Sequence, residues 1–315
     1  MIEAGAERSA TTKARTPLGG LEPQWAWAPG ETVVRSLLFL GAAFAVIVTF
    51  AIFLILIVDA LEFFTRVSPI EFYTGTVWSP DIRGVYGILP LIVGTLIIAG
   101  GAALIGIPLG LSAAVFLREY APPRVREVLK PVLEVLAGIP TIVYGLFALL
   151  FVAPFLQDAF GATFFNGANA IIVIGILIIP IVSSLSEDAL TAVPTDLRDG
   201  ALALGATRFE ATGRVVVPAA FSGIASSFIL SFSRAVGETM IVLLVAGQNT
   251  DVTFRIFGQM TTLSAWIARP ATGDVAAGET VYLAMFAAGF TLFVMTLVLN
   301  VLSDHLRVRF REVYD

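Results

Sequence analysis

Six long apolar runs separated by polar stretches organise the chain, at about 34–58, 88–117, 132–155, 168–186, 215–247 and 281–303. A helix needs roughly 20 largely apolar residues to cross the hydrocarbon of a bilayer, and each run reaches about that length. Lipid offers backbone polar groups no partner, so uninterrupted runs of this kind are helices, and the short alternating segments of a β-barrel are absent. The pattern predicts an all-α polytopic membrane protein with six transmembrane helices. The second and fifth runs are long enough to tilt, kink or project into water. Residues 1–33 read as a flexible tail lacking the apolar region of a signal peptide, 34–58 as the first transmembrane helix and 59–87 as an extracytoplasmic loop. Residues 88–303 read as a core holding a long cytoplasmic connection at 187–214, and 304–315 as a second tail.

Composition agrees with this setting: 57% of the 315 residues are hydrophobic and 14% charged, with a mean hydropathy of +0.90. Orientation follows from Lys and Arg in the connections. With the N-terminus inside, 14 of them fall on the cytoplasmic side and four, Arg66, Arg83, Arg255 and Arg269, outside. Both termini are therefore expected in the cytoplasm. The net charge of −5 says nothing about partners, because the asymmetry across the membrane matters and the total does not.

Inventory excludes several chemistries. Without cysteine there is no disulfide, thiolate nucleophile or sulfur-ligated metal. The single histidine, His305, follows the sixth run beside Asp304 and reads as a solvated side chain. A phosphate-cradling P-loop needs Gly-Lys followed by Ser or Thr, yet the two lysines, Lys13 and Lys130, follow Thr12 and Leu129. No cofactor, catalytic residue, metal site or nucleic-acid role is expected, and the chain cannot hydrolyse ATP by a P-loop of its own.

The connection PTDLRDGALALGATRFEATGRVVVP, residues 194–218, is more than a tether. Gly205 can end a first short helix in the left-handed conformation. Thr207 then opens T-R-F-E, a capping box with Glu210. The result is two short helices at a sharp corner, with small residues at 200, 201, 203, 205 and 206 and apolar anchors at Leu202, Leu204 and Phe209 for a partner groove.

The spacing Asp199-Gly200-Ala201, three residues, Gly205, nine residues, Val215-Val216-Val217-Pro218 resembles the cytoplasmic loop of ABC importer permeases. That family has Glu-Ala-Ala and Ile-x-Leu-Pro at these spacings. Gly200 in place of Ala loosens the first helix by up to about 1 kcal/mol. The resemblance implies that Asp199, Gly200, Ala201, Gly205, Val215, Val217 and Pro218 belong to a coupling loop that docks on a separate ATP-hydrolysing subunit, which uses the ATP and Mg. The runs FYTGTVWSP (72–80), YGILPLIVGTL (86–96), LEVLAGIPTIVYGLFAL (133–149) and RAVGETMIVLLVAG (234–247) resemble phosphate importer permeases of the PstC type, over about residues 60–302. The family usually has Gly where Ser233 stands. The resemblance implies an ABC importer permease fold with a five-helix core and one preceding helix. It also implies a pseudo-symmetric complex with a PstA-like permease, two ATP-hydrolysing subunits and an extracytoplasmic phosphate-binding protein, in the inner or plasma membrane of a prokaryotic cell.

Arg234 and Glu238 stand in the fifth run, where an arginine at a helix centre costs on the order of 2.5–3.5 kcal/mol on insertion scales. Such a residue faces a bundle interior, a partner charge or a watery pathway. Four positions apart on a helix the two would share a face. One reading is mutual neutralisation as packing glue. The other has Arg234 drawing an anion through two parallel hydrogen bonds while Glu238 orients or gates it. Arg before Glu is the weaker helical order for a simple pair, which favours the second, and the family resemblance implies the same two transport-critical charges. Thr141 and Tyr144 are further candidates to line the path. Pro108, Pro140 and Pro180 fall inside runs and read as packing kinks, and Glu134, four residues after Lys130, reads as its surface ion-pair partner.

Energetics bears on the class. Moving a dianion into a cell with a negative interior costs about 4.6 kcal/mol per 100 mV, so an importer needs coupling where a channel would leak, and a permease bound to an ATPase supplies it through the loop at 194–218. Permeases for molybdate, sulfate or phosphonate are alternatives within the superfamily. A secondary transporter would lack the docking loop and show an internal repeat, which is not evident, and a membrane-embedded enzyme would need metal or nucleophile clusters.

Overall fold

The apolar runs become helices, and at most places where the backbone leaves the helix a proline, a glycine or a side-chain hydrogen bond stands at the break. The structure, a computed structural model, describes residues 29–273, 275–276 and 278–309. The N-terminal tail lies outside the described residues up to residue 28, and the C-terminal tail lies outside them from 310. Two units divide the chain, one up to Leu54 and one from Ile55 onward. The first is described from Pro29 and is the leading part of helix α1 (Pro29–Arg66), with apolar side chains such as Leu38, Phe39 and Phe44 exposed.

The second unit begins with the rest of α1, which continues through Arg66 instead of ending near 58. Its Phe63 is fully buried in an aromatic cluster with Phe72, Trp78, Tyr86 and Trp266. Rings meet edge to face there, Phe63 on Phe72 at 5.3 Å and Trp78 on Trp266 at 4.6 Å, the geometry the ring quadrupole favours. The stretch read as a loop is thus a packed cap. It holds α2 (Pro69–Thr74), a two-residue antiparallel ladder of β1 (Trp78–Ser79) and β2 (Val85–Tyr86), and α3 (Pro80–Arg83) between the strands.

Helix α4 (Leu89–Val115) runs into a π-helical turn at Phe116–Tyr120. Helix α8 (Gly167–Thr191), capped by the Asn166 side chain on the Asn169 amide at 2.8 Å, packs against it. In lipid no hydrophobic force drives helices together, so close backbone approach between small residues does the work. A Cβ at Gly106 would lie 2.6 Å from the Gly175 carbonyl oxygen, and one at Gly110 would lie 2.9 Å from that of Ile179. Those two glycines of the GIPLG stretch set the distance between the central helices.

The third apolar run is divided differently from the expectation. Helix α5 (Pro123–Gly138) buries no residue, and the chain breaks at Ile139–Pro140 before α6 (Thr141–Phe147), a π-helical turn (Ala148–Val152) and α7 (Ala153–Phe160). Proline pushes the residue before it out of the helical region, and Ile139 is extended at ψ 129°. The membrane-length segment is therefore Thr141–Phe160, and Pro140 marks a break where a kink inside a span was expected. Pro108 and Pro180 do lie inside α4 and α8.

After α8 come α9 (Thr195–Ala203), α10 (Arg208–Ala211), a π-helical turn (Thr212–Val216) and α11 (Val217–Ala219). The chain then bends by 72° into α12 (Phe221–Val236), which is followed by α13 (Met240–Val245), α14 (Leu263–Thr272) and α15 (Thr280–Arg309). Among the described residues five helices are long and apolar enough to cross a membrane, and the bent pair makes six. The fifth run is thus broken twice, at Ala220 and at Gly237–Thr239.

Candidate functional site

Two places carry chemistry: the corner of α9 and α10, and the break between α12 and α13. At the corner, Gly205 has φ +89°, a region open to glycine and strained for other residues. It ends α9 in a full Schellman arrangement: the Gly205 amide donates to the Leu202 carbonyl at 3.0 Å and the Ala206 amide to the Ala201 carbonyl at 3.1 Å. Thr207 then caps α10. Its hydroxyl accepts from the Glu210 amide at 3.3 Å, and its own amide donates to Glu210 Oε2 at 3.0 Å. Leu204 is 92% and Phe209 79% exposed, so the corner presents bare apolar side chains. Asp199 and Gly200 are exposed on α9, Val215 is half-buried in the π-helical turn, and Val217 and Pro218 form α11.

At the break, Arg234 lies in the last turn of α12 and Glu238 just before α13, so the two do not share one helix face as expected. Glu238 is buried. Its Oε2 accepts from Arg234 Nη1 at 2.9 Å, its Oε1 accepts from the Ile241 amide at 3.3 Å, and its carbonyl accepts from Ser264 Oγ at 2.7 Å. Gly237 is a poor helix former, and the Ser264 bond takes a carbonyl that would otherwise continue the ladder. The break therefore frees backbone groups that Glu238 satisfies at the start of α13, while Arg234 sits at the negative end of α12. The Arg234 side chain is 42% exposed against 2% for Glu238. With Leu230 and Gly237 it forms an exposed stripe at helical spacing. Glu238 is spent on structure, and Arg234 keeps donors to offer.

Residues 106–312 match the family described as binding-protein-dependent transport system inner membrane component. The chain belongs to this family. It is 36% identical over 245 residues to a probable ABC transporter permease protein, YqgH, of Bacillus subtilis, covering 77% of this chain and 79% of that one. It is 34% identical over 259 residues to the phosphate transport system permease protein PstC of Mesorhizobium japonicum, covering 76% and 78%. A probable PstC of Methanocaldococcus jannaschii is 30% identical over 293 residues, covering 85% and 92%. Among solved structures, a bacterial alginate ABC transporter matches with a TM-score of 0.62 at 18% identity, over 90% of this chain and 99% of that one. The methionine transporter MetNI matches at 0.56 and 18%, over 71% and 98%. These likenesses show the fold of an ABC importer permease.

The family match contains both the corner and the break. Thr141 and Tyr144 sit on α6, which packs on α13 through Gly145 against Leu244. The Tyr144 hydroxyl donates to the Leu136 carbonyl at 2.8 Å, pinning α5 to α6 across the Pro140 break. Its ring lines an apolar cleft with Ile139, Val143, Phe147, Val173 and Ile176. Neither residue is bonded to Arg234 or Glu238. Lys130 pairs with Glu187 of α8 at 3.0 Å and not with Glu134, because a carboxylate 2% exposed loses far more without a cation than a surface pair gains. Arg126 joins the same carboxylate. A further pair, Arg198 on α9 with buried Glu119 in the turn after α4, is 3.0 Å long. Sequence reasoning missed Glu119 and Glu187; their one signal was a carboxylate next to long apolar runs.

Proposed function

We propose that this permease carries inorganic phosphate into the cell as one half of an ATP-driven importer. The PstC names of several relatives support phosphate as the cargo. The observation that carries the mechanism is Arg234. A half-exposed guanidinium, held by a buried carboxylate on an exposed stripe of a membrane helix, is too costly to face lipid and suits a watery path shared with a second permease. Its planar donors match a tetrahedral oxyanion. Glu238 orients it, and Thr141 and Tyr144 flank the neighbouring helix.

In this reading the corner docks a separate ATP-hydrolysing subunit, with Leu204 and Phe209 as anchors and Asp199, Gly200, Ala201, Gly205, Val215, Val217 and Pro218 forming the coupling segment. A PstA-like permease, two ATPase copies using ATP and Mg, and an external phosphate-binding protein complete the assembly. Both termini lie in the cytoplasm. A cysteine at Thr76 then reacts with an impermeant thiol reagent from outside, and one at Thr207 reacts only after the membrane is opened. The reverse pattern overturns the orientation. Purification of the tagged chain recovers an ATPase and a second permease, and labelled phosphate uptake is competed by phosphate in preference to molybdate or sulfate. Recovery of neither subunit refutes the class, and stronger competition by another oxyanion refutes the cargo.

A further inference from the structure

The chain joins the corner to the bundle on both sides, from α8 through Ala192–Pro194 and onward from α10 through the π-helical turn at Thr212–Val216 and the 72° bend into α12, which carries Arg234 at its far end. Arg198 makes the ion pair that reaches the end of α4. It stands beside Asp199 on α9, and its Nη2 lies 3.0 Å from Oε2 of Glu119.

Glu119 sits in the turn directly after α4, with its side chain 4% exposed, and Arg198 is its one ion-pair partner among the described residues. Helix α4 is locked to α8 by the glycine contacts at Gly106 and Gly110, so displacement at Glu119 moves a rigid pair. We infer that Arg198 and Glu119 form the joint through which movement of the corner reaches α4, and that the pair sets how much phosphate each ATP moves.

A contact through one nitrogen and one oxygen fixes a distance and leaves the angle free. Attraction between opposite charges also falls slowly with separation, so such a joint holds through a rotation that would shear apolar packing apart. The carboxylate at Glu187, held by Arg126 and Lys130 together, is by contrast a two-cation clamp between α5 and α8, and neither of its cations lies on the corner.

The inference rests on the reading that the corner docks an ATPase, and its test separates the two. The assembled transporter, with its partner permease, ATPases and phosphate-binding protein, is reconstituted in vesicles, and phosphate uptake and ATP hydrolysis are measured together. Glu119→Gln removes the buried charge and leaves a partly exposed arginine, so it is the variant that keeps the fold. Copurification of the ATPase persists, hydrolysis stays within about twofold, and phosphate moved per ATP falls about tenfold. Arg198→Gln gives the same ratio, Arg198→Lys restores most of it, and the double variant is no worse than either single change. An unchanged ratio, or uptake and hydrolysis falling in parallel, overturns the joint. Leu204→Asp combined with Phe209→Asp tests the docking separately: loss of copurification supports it, and retention refutes the docking and the joint with it.

Discussion

Arg234 and Glu238 give the sharpest test, because packing and transport predict different results for the same three variants. Arg234→Gln leaves a carboxylate 2% exposed with the Ile241 amide as its remaining side-chain partner. Breaking a fully buried pair costs roughly 3–5 kcal/mol. Here the cation is 42% exposed, so on the proposed watery path water screens the bond and about 2 kcal/mol is the better figure. Glu238→Gln keeps an oxygen for the Ile241 amide and frees an arginine that water can reach, costing about 1 kcal/mol. In the double variant no charge is left buried, so abundance and ATPase copurification return close to the unmodified level. Transport does not return. A guanidinium roughly 6 Å from a phosphate dianion, at an effective dielectric of about 20, contributes about 5 kcal/mol of attraction before desolvation. Even a third of that is a tenfold loss of uptake, since each 1.4 kcal/mol is about a factor of ten. Membrane abundance and labelled phosphate uptake for both single variants and the double variant decide the matter. A double variant that transports at the unmodified rate refutes the pathway role and leaves the pair as packing glue.

Gly205→Val meets no atom within 4 Å of the added Cβ, so its effect is conformational: a β-branched residue at φ +89° costs about 1–2 kcal/mol or unwinds the corner. Uptake and ATPase stimulation fall while insertion is unchanged, and normal uptake refutes the need for a left-handed residue. Gly106→Leu drives a side chain into the Gly175 carbonyl and Ile178, forcing α4 from α8, and abolishes detectable folded protein in detergent. A folded, active variant would show that the close approach is dispensable.

The six spans were legible because length and hydropathy are properties of a window, and the corner was legible because its signals are local. Thr207 and Glu210 are three residues apart, and Gly205 ends its helix within one turn. Backbone breaks were harder. Hydropathy reads Ile139–Pro140 and Gly237–Thr239 as apolar continuity, although Pro140 itself disfavours a helix through residue 139. The break at Glu238 depends on Ser264, a residue from another element, and no local pattern announces that bond. The same holds for Lys130. Its helical neighbour Glu134 was the obvious partner, but Glu187 arrives from α8 only in the folded chain and outbids it by being buried. The GIPLG stretch carries a small-residue spacing, yet its meaning required knowing that α8 lies against it.

Three buried carboxylates among the described residues share one design, and it yields a last prediction. Glu119, Glu187 and Glu238 have side chains 4%, 2% and 2% exposed, while their cations, Arg198, Arg126, Lys130 and Arg234, are 25%, 35%, 36% and 42% exposed. The short carboxylates are fixed in the packed interior, and the long cations reach them from more exposed positions along apolar stems. Removing a cation therefore strands a buried charge, whereas neutralising the carboxylate strands a charge that water can solvate. Arg198→Gln and Arg234→Gln should each destabilise by about 2 kcal/mol, and Glu119→Gln and Glu238→Gln by about half as much. Glu187 breaks the pattern in a defined way. Two cations serve it, so losing either Arg126 or Lys130 costs less than about 1 kcal/mol, and losing both costs more than the sum of the single losses. Thermal unfolding of the purified variants in one detergent at fixed pH and salt measures the ordering. If the glutamine replacements of the carboxylates prove as damaging as those of the arginines, burial is not what sets these energies and the asymmetry argument fails.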